Sequence, residues 1–348
     1  MPTSAPDPAP LPLNPGGFDE LLAAARVVSL PMRVKFRGIT TREALLLHGP
    51  AGWAEFSPFP EYGDAESSRW LAAAIEAGWH GFPEPLRTSI PVNATVPAIP
   101  AERVPEILAR FGRVDAVKIK VAEAGQTLED DAARVAAVRD ALPEAAVRVD
   151  ANGGWDVDSA VAALTRLAGV GLEYAEQPVP DIAGLAEVRR RLRAAGVPVQ
   201  IAADESVRKE EDPLKVARAG AADLIVVKVA PLGGVRRALE IVAAAGLPAV
   251  VSSALDTSVG IRAGLALAAS LPDLPYACGL GTVSLLAADV AKDSLVPDDG
   301  AIALRNVAAD PALLEEHAAS PERRDWWLDR LRRVYGQLTR APQDPGIR

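Results

Sequence analysis

From about residue 90 onward, short apolar runs alternate with longer amphipathic stretches. Runs of this length, rich in β-branched residues, predict buried strands, and the stretches between them predict helices. Eight runs occur, at 90–96, 116–122, 146–152, 172–178, 199–206, 223–230, 248–255 and 276–282. The helical segments lie at 127–141, 157–168, 183–195, 212–219, 233–245 and 258–270. Repeated βα units predict a (β/α)₈-type barrel, whereas a doubly wound sheet is disfavoured because the chain lacks a Gly-rich phosphate motif.

The two ends of the chain lack this regular alternation of apolar runs and amphipathic stretches. Residues 26–47 predict two strands around a turn at Gly38, and 65–78 predict a helix. The stretch between them, 49–63, predicts a loop of Gly, Pro and aromatic residues. Helical segments within 303–340 are expected to pack on this small α+β module at the N-terminus.

Composition narrows the class of partner. Hydrophobic residues make up 49% of the 348, so a sizeable core is available, and the net charge of −9 argues against nucleic acid or an anionic membrane. The only cysteine, Cys278, excludes an internal disulfide and fits a reducing compartment. No apolar run reaches the roughly 18 residues of a membrane span, and the Pro-rich start lacks the pattern of a signal peptide. We expect a cytoplasmic protein, and the sequence sets no oligomeric state.

The run "DAVKIKVAE" at 115–123 places two lysines on one strand face. Alternation along a strand directs Lys118 and Lys120 the same way, although burying like charges is costly. Only seven of the 37 Lys and Arg residues are Lys. Lysine can act as a neutral amine when its surroundings lower its pKa, whereas arginine cannot. The choice of lysine here therefore indicates chemistry.

Polar residues recur near the end of each predicted barrel strand, one βα unit apart. Along the chain they are Lys118 and Lys120, Asp150 with Asn152, Glu176, Asp204 with Glu205, Lys228, Ser252 and Ser253, and the turn Gly279-Leu280-Gly281-Thr282. Equivalent positions on successive barrel strands converge at the carboxyl-terminal mouth. We therefore expect three carboxylates to face one point, with lysines on either side.

Three converging carboxylates repel one another unless a cation lies between them. Carboxylate oxygens suit Mg²⁺, with Mn²⁺ also possible. A zinc site is not expected, because His48, His80 and His317 lie outside the barrel and Cys278 stands alone. This combination fits a reaction in which a metal holds a substrate carboxylate, a lysine removes the α-proton, and the cations stabilise the enediolate.

Five short motifs carry a family resemblance over nearly the whole chain from about residue 25. "KIK" (118–120), "DAN" (150–152), "EQP" (176–178), "ADES" (203–206) and "VKVA" (227–230) resemble the enolase superfamily in its muconate-lactonising-enzyme subgroup. Within it, "GWAEFSPFPEYG", "VSSALDTSVG" and "CGLGTVSLLAADV" resemble the o-succinylbenzoate synthase family in its actinobacterial form. One departure is Ala54, where the family pattern has Gly. The last strand lacks the Asp-x-Asp that dipeptide epimerases of the subgroup carry.

The resemblance implies an α/β fold: a (β/α)₇β TIM-like barrel with an α+β capping domain built from both termini. We expect a flexible Pro-rich arm at 1–18, the N-terminal part of the capping domain at 19–98, the catalytic barrel at 99–299, and a C-terminal segment at 300–340 that packs on the capping domain. Cap loops near 37–41 and 55–59 would close over the site.

The resemblance also implies an activity and residue roles. The reaction is dehydration of 2-succinyl-6-hydroxy-2,4-cyclohexadiene-1-carboxylate to 2-succinylbenzoate, in menaquinone biosynthesis. Lys120 would remove the proton α to the ring carboxylate and return it to the departing hydroxyl. Lys228 would stabilise the enediolate from the opposite face. Lys118 would help hold the carboxylate and tune Lys120.

The remaining roles concern the metal and the walls of the site. Mg²⁺ would be bound by Asp150, Glu176 and Asp204, and Asn152 and Glu205 would orient Lys228 and the metal ligands. The succinyl pocket would be lined by Ser252, Ser253, Gly279, Leu280, Gly281 and Thr282.

Four alternatives stay open from the sequence. Lys120 and Lys228 would also serve an N-succinylamino acid racemase, and the subgroup also contains muconate-type cycloisomerases. A metal-free lyase could use Lys228 as a Schiff-base nucleophile, but three carboxylates would then have no purpose. Each polar residue taken alone could be a turn residue or an ion pair, so a non-catalytic binding barrel is the fourth reading.

Overall fold

The structure is a computed structural model that describes residues 17–36, 38–207 and 212–340. Residues 1–16 of the predicted N-terminal arm, and Arg37 in the predicted cap loop, lie outside the described residues. Within the described ranges, no helix has both the length and the apolar character needed to cross a membrane.

The first part of the described chain is an antiparallel sheet flanked by helices. Its elements are α1 (Phe18–Ala24), β1 (Ala25–Phe36), β2 (Ile39–Gly49), β3 (Gly52–Phe56) and α2 (Asp64–Ile75). The strand order is β1-β2-β3. The two predicted strands around Gly38 are confirmed as β1 and β2. A π-helical turn, Glu76–His80, extends α2.

The prediction of a loop over 49–63 is wrong in its first half, where the chain forms β3. Phe56 pairs with Leu45 of β2, and the pairing continues to Gly52 opposite Gly49. Gly52 has a φ of +132°, a conformation that side chains rarely adopt, and it allows the chain to reverse tightly. The strand is not predicted from the sequence, because the Gly and Pro residues on both sides of it are typical of a loop.

The rest of the described chain alternates strands and helices. The strands are β4 (Ser89–Pro91), β5 (Ala94–Val96), β6 (Ala116–Lys120), β7 (Ala146–Asp150), β8 (Leu172–Glu176), β9 (Gln200–Ala203), β10 (Leu224–Val227), β11 (Ala249–Val251) and β12 (Ala301–Ala303). The helices are α3 (Val104–Leu108), α4 (Leu128–Ala141), α5 (Val157–Leu167), α6 (Ile182–Ala194), α7 (Asp212–Arg218), α8 (Val229–Leu232), α9 (Val235–Ala245), α10 (Ser258–Ser270), α11 (Pro311–Glu316) and α12 (Pro321–Arg340). Strands β5 to β11 form one sheet in chain order, with every pair parallel.

A short segment between α10 and β12 closes this sheet into a barrel. The amide of Gly279 donates a hydrogen bond to the carbonyl of Val251 at 2.8 Å, and the amide of Asn93 donates to the carbonyl of Cys278 at 3.0 Å. The eighth strand, predicted at 276–282, is therefore a two-residue bridge. The barrel has the (β/α)₇β form.

Local sequence signals explain the helix boundaries. A capping box begins α4, because Asp130 accepts from the Thr127 amide at 2.8 Å and the Thr127 hydroxyl accepts from the Asp130 amide at 3.3 Å. Helix α10 spans the predicted residues 258–270. The last helix, α12, contacts the first sheet through Trp327, which donates to Glu43 of β2 at 3.0 Å, and contacts the loop after β3 through Arg330, which donates to the carbonyl of Phe59 at 2.9 Å.

A buried arginine fills the barrel below its mouth. Arg148, two residues before the end of β7, is fully buried and donates to Glu173 at 2.6 Å and to Asn93 Oδ1 at 3.1 Å. Its guanidinium lies 4.9 Å from the ring centre of Tyr174 and 5.9 Å from that of Tyr276. This layer separates the bottom of the barrel from the polar cluster above it.

Candidate active site

Two lysines of β6 point into the mouth of the barrel, as the alternation predicts. Lys118 Nζ lies 2.8 Å and 2.9 Å from the two carboxylate oxygens of Glu176, and 3.1 Å from Asp150 Oδ2. Lys120 Nζ lies 2.5 Å from the same Asp150 oxygen. The two ammonium groups therefore share a carboxylate, and its negative charge offsets the repulsion between the two lysines on one strand face.

The three predicted carboxylates come from neighbouring strands. Asp150 ends β7, Glu176 ends β8, and Asp204 directly follows β9. Asp150 and Glu176 lie opposite each other in the parallel register, and all three residues are at most 3% exposed. Parallel strands end at the same rim of the barrel. Asp150 and Asp204 line one cavity there, and Glu176 contacts Lys118 in the wall of that cavity.

The third lysine lies across the barrel from the first two. Lys228 follows β10 and contacts both carboxylate oxygens of Asp204. Three strands, β7 to β9, separate β10 from β6 in the sheet order, so the two strands are diametrically opposed in a barrel of eight. Lys120 and Lys228 therefore approach the cavity from opposite faces.

Burial and the surrounding charges shift the pKa values of the cluster. Burial alone would lower the pKa of Lys118, but Glu176 and Asp150 outweigh it and hold that pKa well above its usual value. Burial would raise the pKa of Asp150, yet Lys120 and Lys118 hold it far below its usual value. Burial and then Asp150 raise the pKa of Glu176 to about 8. Because three lysines face three carboxylates in the cluster, the pKa of Glu176 is raised mainly by its burial.

Asn152 and Glu205 connect to this cluster through Lys120. The side-chain oxygen of Asn152 accepts from Lys120 Nζ at 2.5 Å, and its amide group donates to Glu205 at 3.1 Å. Asn152 adopts a φ of +46°, which an asparagine tolerates better than most residues. The backbone amide of Asn152 also donates to the predicted metal ligand Asp150 at 3.1 Å, and the role of Asn152 and Glu205 in orienting Lys228 and the ligands stays a prediction.

Gln177 is a supporting residue that the sequence argument missed. It is fully buried, and its side-chain oxygen accepts from the amides of Asp204 at 3.0 Å and Ser206 at 3.1 Å. It therefore fixes the backbone that presents Asp204. The available signal was its place in the "EQP" motif, next to Glu176.

The cavity between the lysines encloses about 430 Å³. Its walls include the predicted Ser252, Ser253, Gly279 and Thr282, and also Phe36, Thr95, Ala254 and Leu255, which the sequence argument did not select. The Ser253 hydroxyl donates to the carbonyl of Gly279 at 2.9 Å and lies 2.8 Å from the Thr282 hydroxyl.

Leu280 and Gly281 do not line this cavity. The side chain of Leu280 is fully buried and packs against Gly264 of α10. A side chain at Gly281 would meet Pro297 at 3.1 Å. Both residues lie beside the cavity wall and help to hold Gly279 and Thr282 in it.

The chemistry of the donor set fits a hard divalent cation. Asp150, Glu176 and Asp204 supply buried carboxylate oxygens, which are the ligands that such a cation prefers. Among the residues that the structure describes, no three Asp, Glu, His or Cys side chains converge as a metal site does. The lysines account for this, because Lys118 stands between Glu176 and Asp150 while Lys228 holds Asp204.

Both parts of the chain match family models of enolase-like proteins. Residues 101–309 match the "Enolase C-terminal domain-like" model, and residues 27–78 match the "Enolase N-terminal domain-like" model. The two matches together include the strands that carry every carboxylate and lysine of the cluster.

Curated relatives are similar over almost their whole length. The o-succinylbenzoate synthase of Mycobacterium ulcerans is 54% identical over 95% of this chain and 99% of its own. The o-succinylbenzoate synthase of Mycolicibacterium smegmatis is 56% identical over 90% of this chain and 96% of its own. That of Mycobacterium tuberculosis is 54% identical over 92% and 96%.

Solved structures support the architecture. The muconate lactonizing enzyme from Pseudomonas fluorescens, complexed with muconolactone, matches with a TM-score of 0.74 and 23% identity, over 85% of this chain and 98% of that chain. The 2-chloromuconate cycloisomerase from Rhodococcus opacus 1CP matches with a TM-score of 0.71 and 24% identity, with the same coverage. At this identity the likeness establishes the fold alone, a TIM-like barrel with a capping domain.

Proposed function

The chain belongs to the o-succinylbenzoate synthase family of the enolase superfamily and is a carbon–oxygen hydro-lyase, and on that premise we propose which residues carry out the reaction. The substrate is 2-succinyl-6-hydroxy-2,4-cyclohexadiene-1-carboxylate and the product is 2-succinylbenzoate. The observation that carries the proposal is the pair of lysines, Lys120 and Lys228, on opposite sides of one cavity, with carboxylates between them.

Lys120 is the base and then the acid. As a neutral amine it takes the proton from the ring carbon that bears the carboxylate. The resulting ammonium group then gives this proton to the hydroxyl on the neighbouring carbon, which leaves as water while the ring becomes aromatic. Asp150 and Asn152 support this role because their oxygens fix the position of the nitrogen at 2.5 Å each.

Two further lysines act through charge. Lys228 faces the developing enediolate from the other side and stabilises it as a cation. Lys118 contributes positive charge beside the substrate carboxylate. Ser252, Ser253, Gly279 and Thr282 line the succinyl end of the cavity, and Leu280 and Gly281 support that wall from behind.

Asp150, Glu176 and Asp204 would hold the divalent cation, and we propose Mg²⁺, with Mn²⁺ as the usual substitute. Divalent-metal dependence is general in this family. When bound, the cation would supply positive charge beside the substrate carboxylate. Asn152 and Glu205 lie outside this set of three ligands and would orient Lys228 and the ligands.

The biological setting follows from the family. We place the reaction in menaquinone biosynthesis, in the cytoplasm, with a small-molecule carboxylate as the partner. The net charge of −9 argues against a nucleic acid partner. The domain limits at 18, 98, 299 and 340 stay predictions.

Turnover of the cyclohexadiene carboxylate, followed by ultraviolet absorbance, tests this proposal. We expect rapid turnover with Mg²⁺, loss of turnover with excess EDTA, and recovery when Mg²⁺ is restored. A Mg²⁺-dependent rise in thermal stability, read without substrate, would support the carboxylates as ligands. Turnover that survives EDTA would overturn the metal assignment.

A second candidate activity is racemisation of N-succinylamino acids. It requires one base on each face of the substrate, and the opposed positions of Lys120 and Lys228 favour it. Exchange of the α-proton in D₂O would reveal it. Exchange in a protein that fails to turn over the cyclohexadiene carboxylate would make racemisation the main activity.

A further inference from the structure

The loop that follows β11 forms one wall of the reaction cavity, and contacts with the N-terminal sheet help to hold it. Ser252, Ser253 and Leu255 line the cavity from this loop, and Leu255 adopts a φ of +62°, which is strained for a leucine. A second cavity of about 500 Å³ borders the same loop at Ser252 and Ala254. A strained loop beside open space needs specific contacts to keep its position.

The N-terminal sheet supplies the first of these contacts. Arg42 of β2 is 2% exposed, and its Nε donates to the carbonyl of Leu255 at 3.2 Å. The same guanidinium donates to the carbonyl of Ser57 at 2.5 Å and to the Ser57 hydroxyl at 2.9 Å. Arg42 thus ties the strained residue of the barrel loop to the end of β3.

Glu55 of β3 supplies the second contact, at the start of α10. One carboxylate oxygen accepts from the Thr257 amide at 3.0 Å, the Thr257 hydroxyl at 2.6 Å and the Gly260 amide at 3.1 Å. The other oxygen accepts from the Ser57 hydroxyl at 2.6 Å. A carboxylate at a helix N-terminus also interacts favourably with the helix dipole. Four donors from two parts of the chain therefore meet at one buried side chain.

The absence of a side chain at Gly260 makes this approach possible. A Cβ atom there would lie 2.8 Å from the Glu55 carboxylate oxygen and 2.7 Å from Asp256 Cβ, closer than real Cβ contacts. The helix start is therefore shaped to receive a carboxylate from the other part of the chain.

We propose that Arg42 and Glu55 are positioning residues that fix the barrel loop 252–257 against the N-terminal sheet, so that the sheet must be seated before the cavity wall is complete. Neither side chain lines the cavity that holds Lys118 and Lys120, although Glu55 lines the neighbouring cavity, which shares Lys228, Ser252 and Ala254 with it. Their effect on the reaction runs through the loop. The inference rests on the proposed function only in taking that cavity as the place where substrate binds.

The direct test compares Glu55→Gln with a matched control, Glu43→Gln. Glu43 also joins distant parts of the chain, since it accepts from Arg323 at 2.6 Å and from Trp327 at 3.0 Å, but both partners lie on α12, away from the loop. Amide hydrogen exchange of the segment 253–262 and steady-state kinetics are measured for both variants. The work is done at pH 8, because burial and Asp256 raise the pKa of Glu55 to about 7.

For Glu55→Gln we expect exchange in 253–262 to rise by about tenfold or more, as loss of a hydrogen bond to a charged group predicts. KM should rise by a similar factor while kcat changes by less than about threefold, because the lysines keep their positions. Glu43→Gln should leave KM and the exchange of 253–262 within about twofold of the unaltered protein. Gly260→Ala should reproduce the effect of Glu55→Gln with Glu55 intact.

Two results would overturn the inference. One is unchanged exchange in 253–262 for Glu55→Gln, and the other is an equal rise of KM in Glu43→Gln. Because hydrogen exchange needs no turnover, a failure of the proposed reaction would leave this test readable.

Discussion

Lys118 and Glu176 form an ion pair in which both partners are buried. The ammonium nitrogen lies 2.8 Å and 2.9 Å from the two carboxylate oxygens, and the side chains are 9% and 1% exposed. A pair of this kind contributes little net stability when intact, but removing one partner leaves the other as an unpaired buried charge.

Lys118→Met should therefore destabilise the protein by about 3 kcal/mol in the absence of divalent cations, because Glu176 loses its buried partner. Adding Mg²⁺ should recover part of this loss, since the same carboxylates are the proposed ligands. Urea denaturation with EDTA and with Mg²⁺ gives both values.

The matched control for that variant is Lys292→Met. Lys292 also pairs with a carboxylate, Asp310 at 2.8 Å, but its side chain is 77% exposed. An exposed pair contributes at most about 1 kcal/mol. Equal losses of stability for the two variants would contradict the account of a buried charge cluster.

Arg148 belongs to the barrel bottom, and we expect its removal to separate stability from activity. Arg148→Met leaves Glu173 and Asn93 without their partner and should cost about 3 kcal/mol in the free energy of unfolding. KM should stay within about twofold, because residues below the mouth of a barrel serve stability more than catalysis. Denaturation and kinetics of the same preparation test this, and a large rise of KM with normal stability would contradict it.

The buried Glu55 predicts a pH dependence of stability. Burial and then Asp256 raise its pKa to about 7, against 4.5 for an ordinary glutamate, while Arg42 opposes the shift. Between those values the folded protein keeps a proton that the unfolded chain has lost. Stability should therefore fall as the pH rises from about 5 to 7.5, by roughly 2 kcal/mol from this group.

Glu55→Gln should flatten that profile. Glu43→Gln is the control: because Arg323 and Trp327 lower the pKa of Glu43 from 4.5 despite its partial burial, its contribution to stability changes only below the range measured, and the slope should match that of the unaltered protein. Free energies of unfolding from pH 5 to 8 compare the three proteins. An unchanged slope in Glu55→Gln would show that Glu55 does not titrate in this range.

The alternation of strands and helices could largely be predicted from the sequence, because barrel strands are buried on both faces and several helices begin at a side-chain cap. The run at 90–96 shows the limit. It forms two strands, because β4 pairs with β12 while β5 joins the barrel. A hydrophobic pattern indicates that a strand is buried but not which strand it pairs with. The change from one sheet to another within this run could therefore not be predicted.

The polar cluster was predictable for a related reason. Residues one βα unit apart reach the same rim, so Asp150, Glu176 and Asp204 had to come together once the barrel was assumed. The contacts of Arg42 and Glu55 were not predictable, because they join segments about 200 residues apart in the chain. The hydrophobic periodicity of a strand does not specify which loop of the barrel its sheet will contact.

The most direct measurement of the central claim uses Lys120→Arg. Arginine keeps a positive charge beside Asp150 and Asn152, so the fold should be retained, but it cannot give up its proton near neutral pH. Formation of 2-succinylbenzoate with saturating Mg²⁺ should fall by at least about 100-fold, the usual contribution of a general base. A folded variant that keeps more than a tenth of the original rate would contradict the assignment of Lys120 as the base.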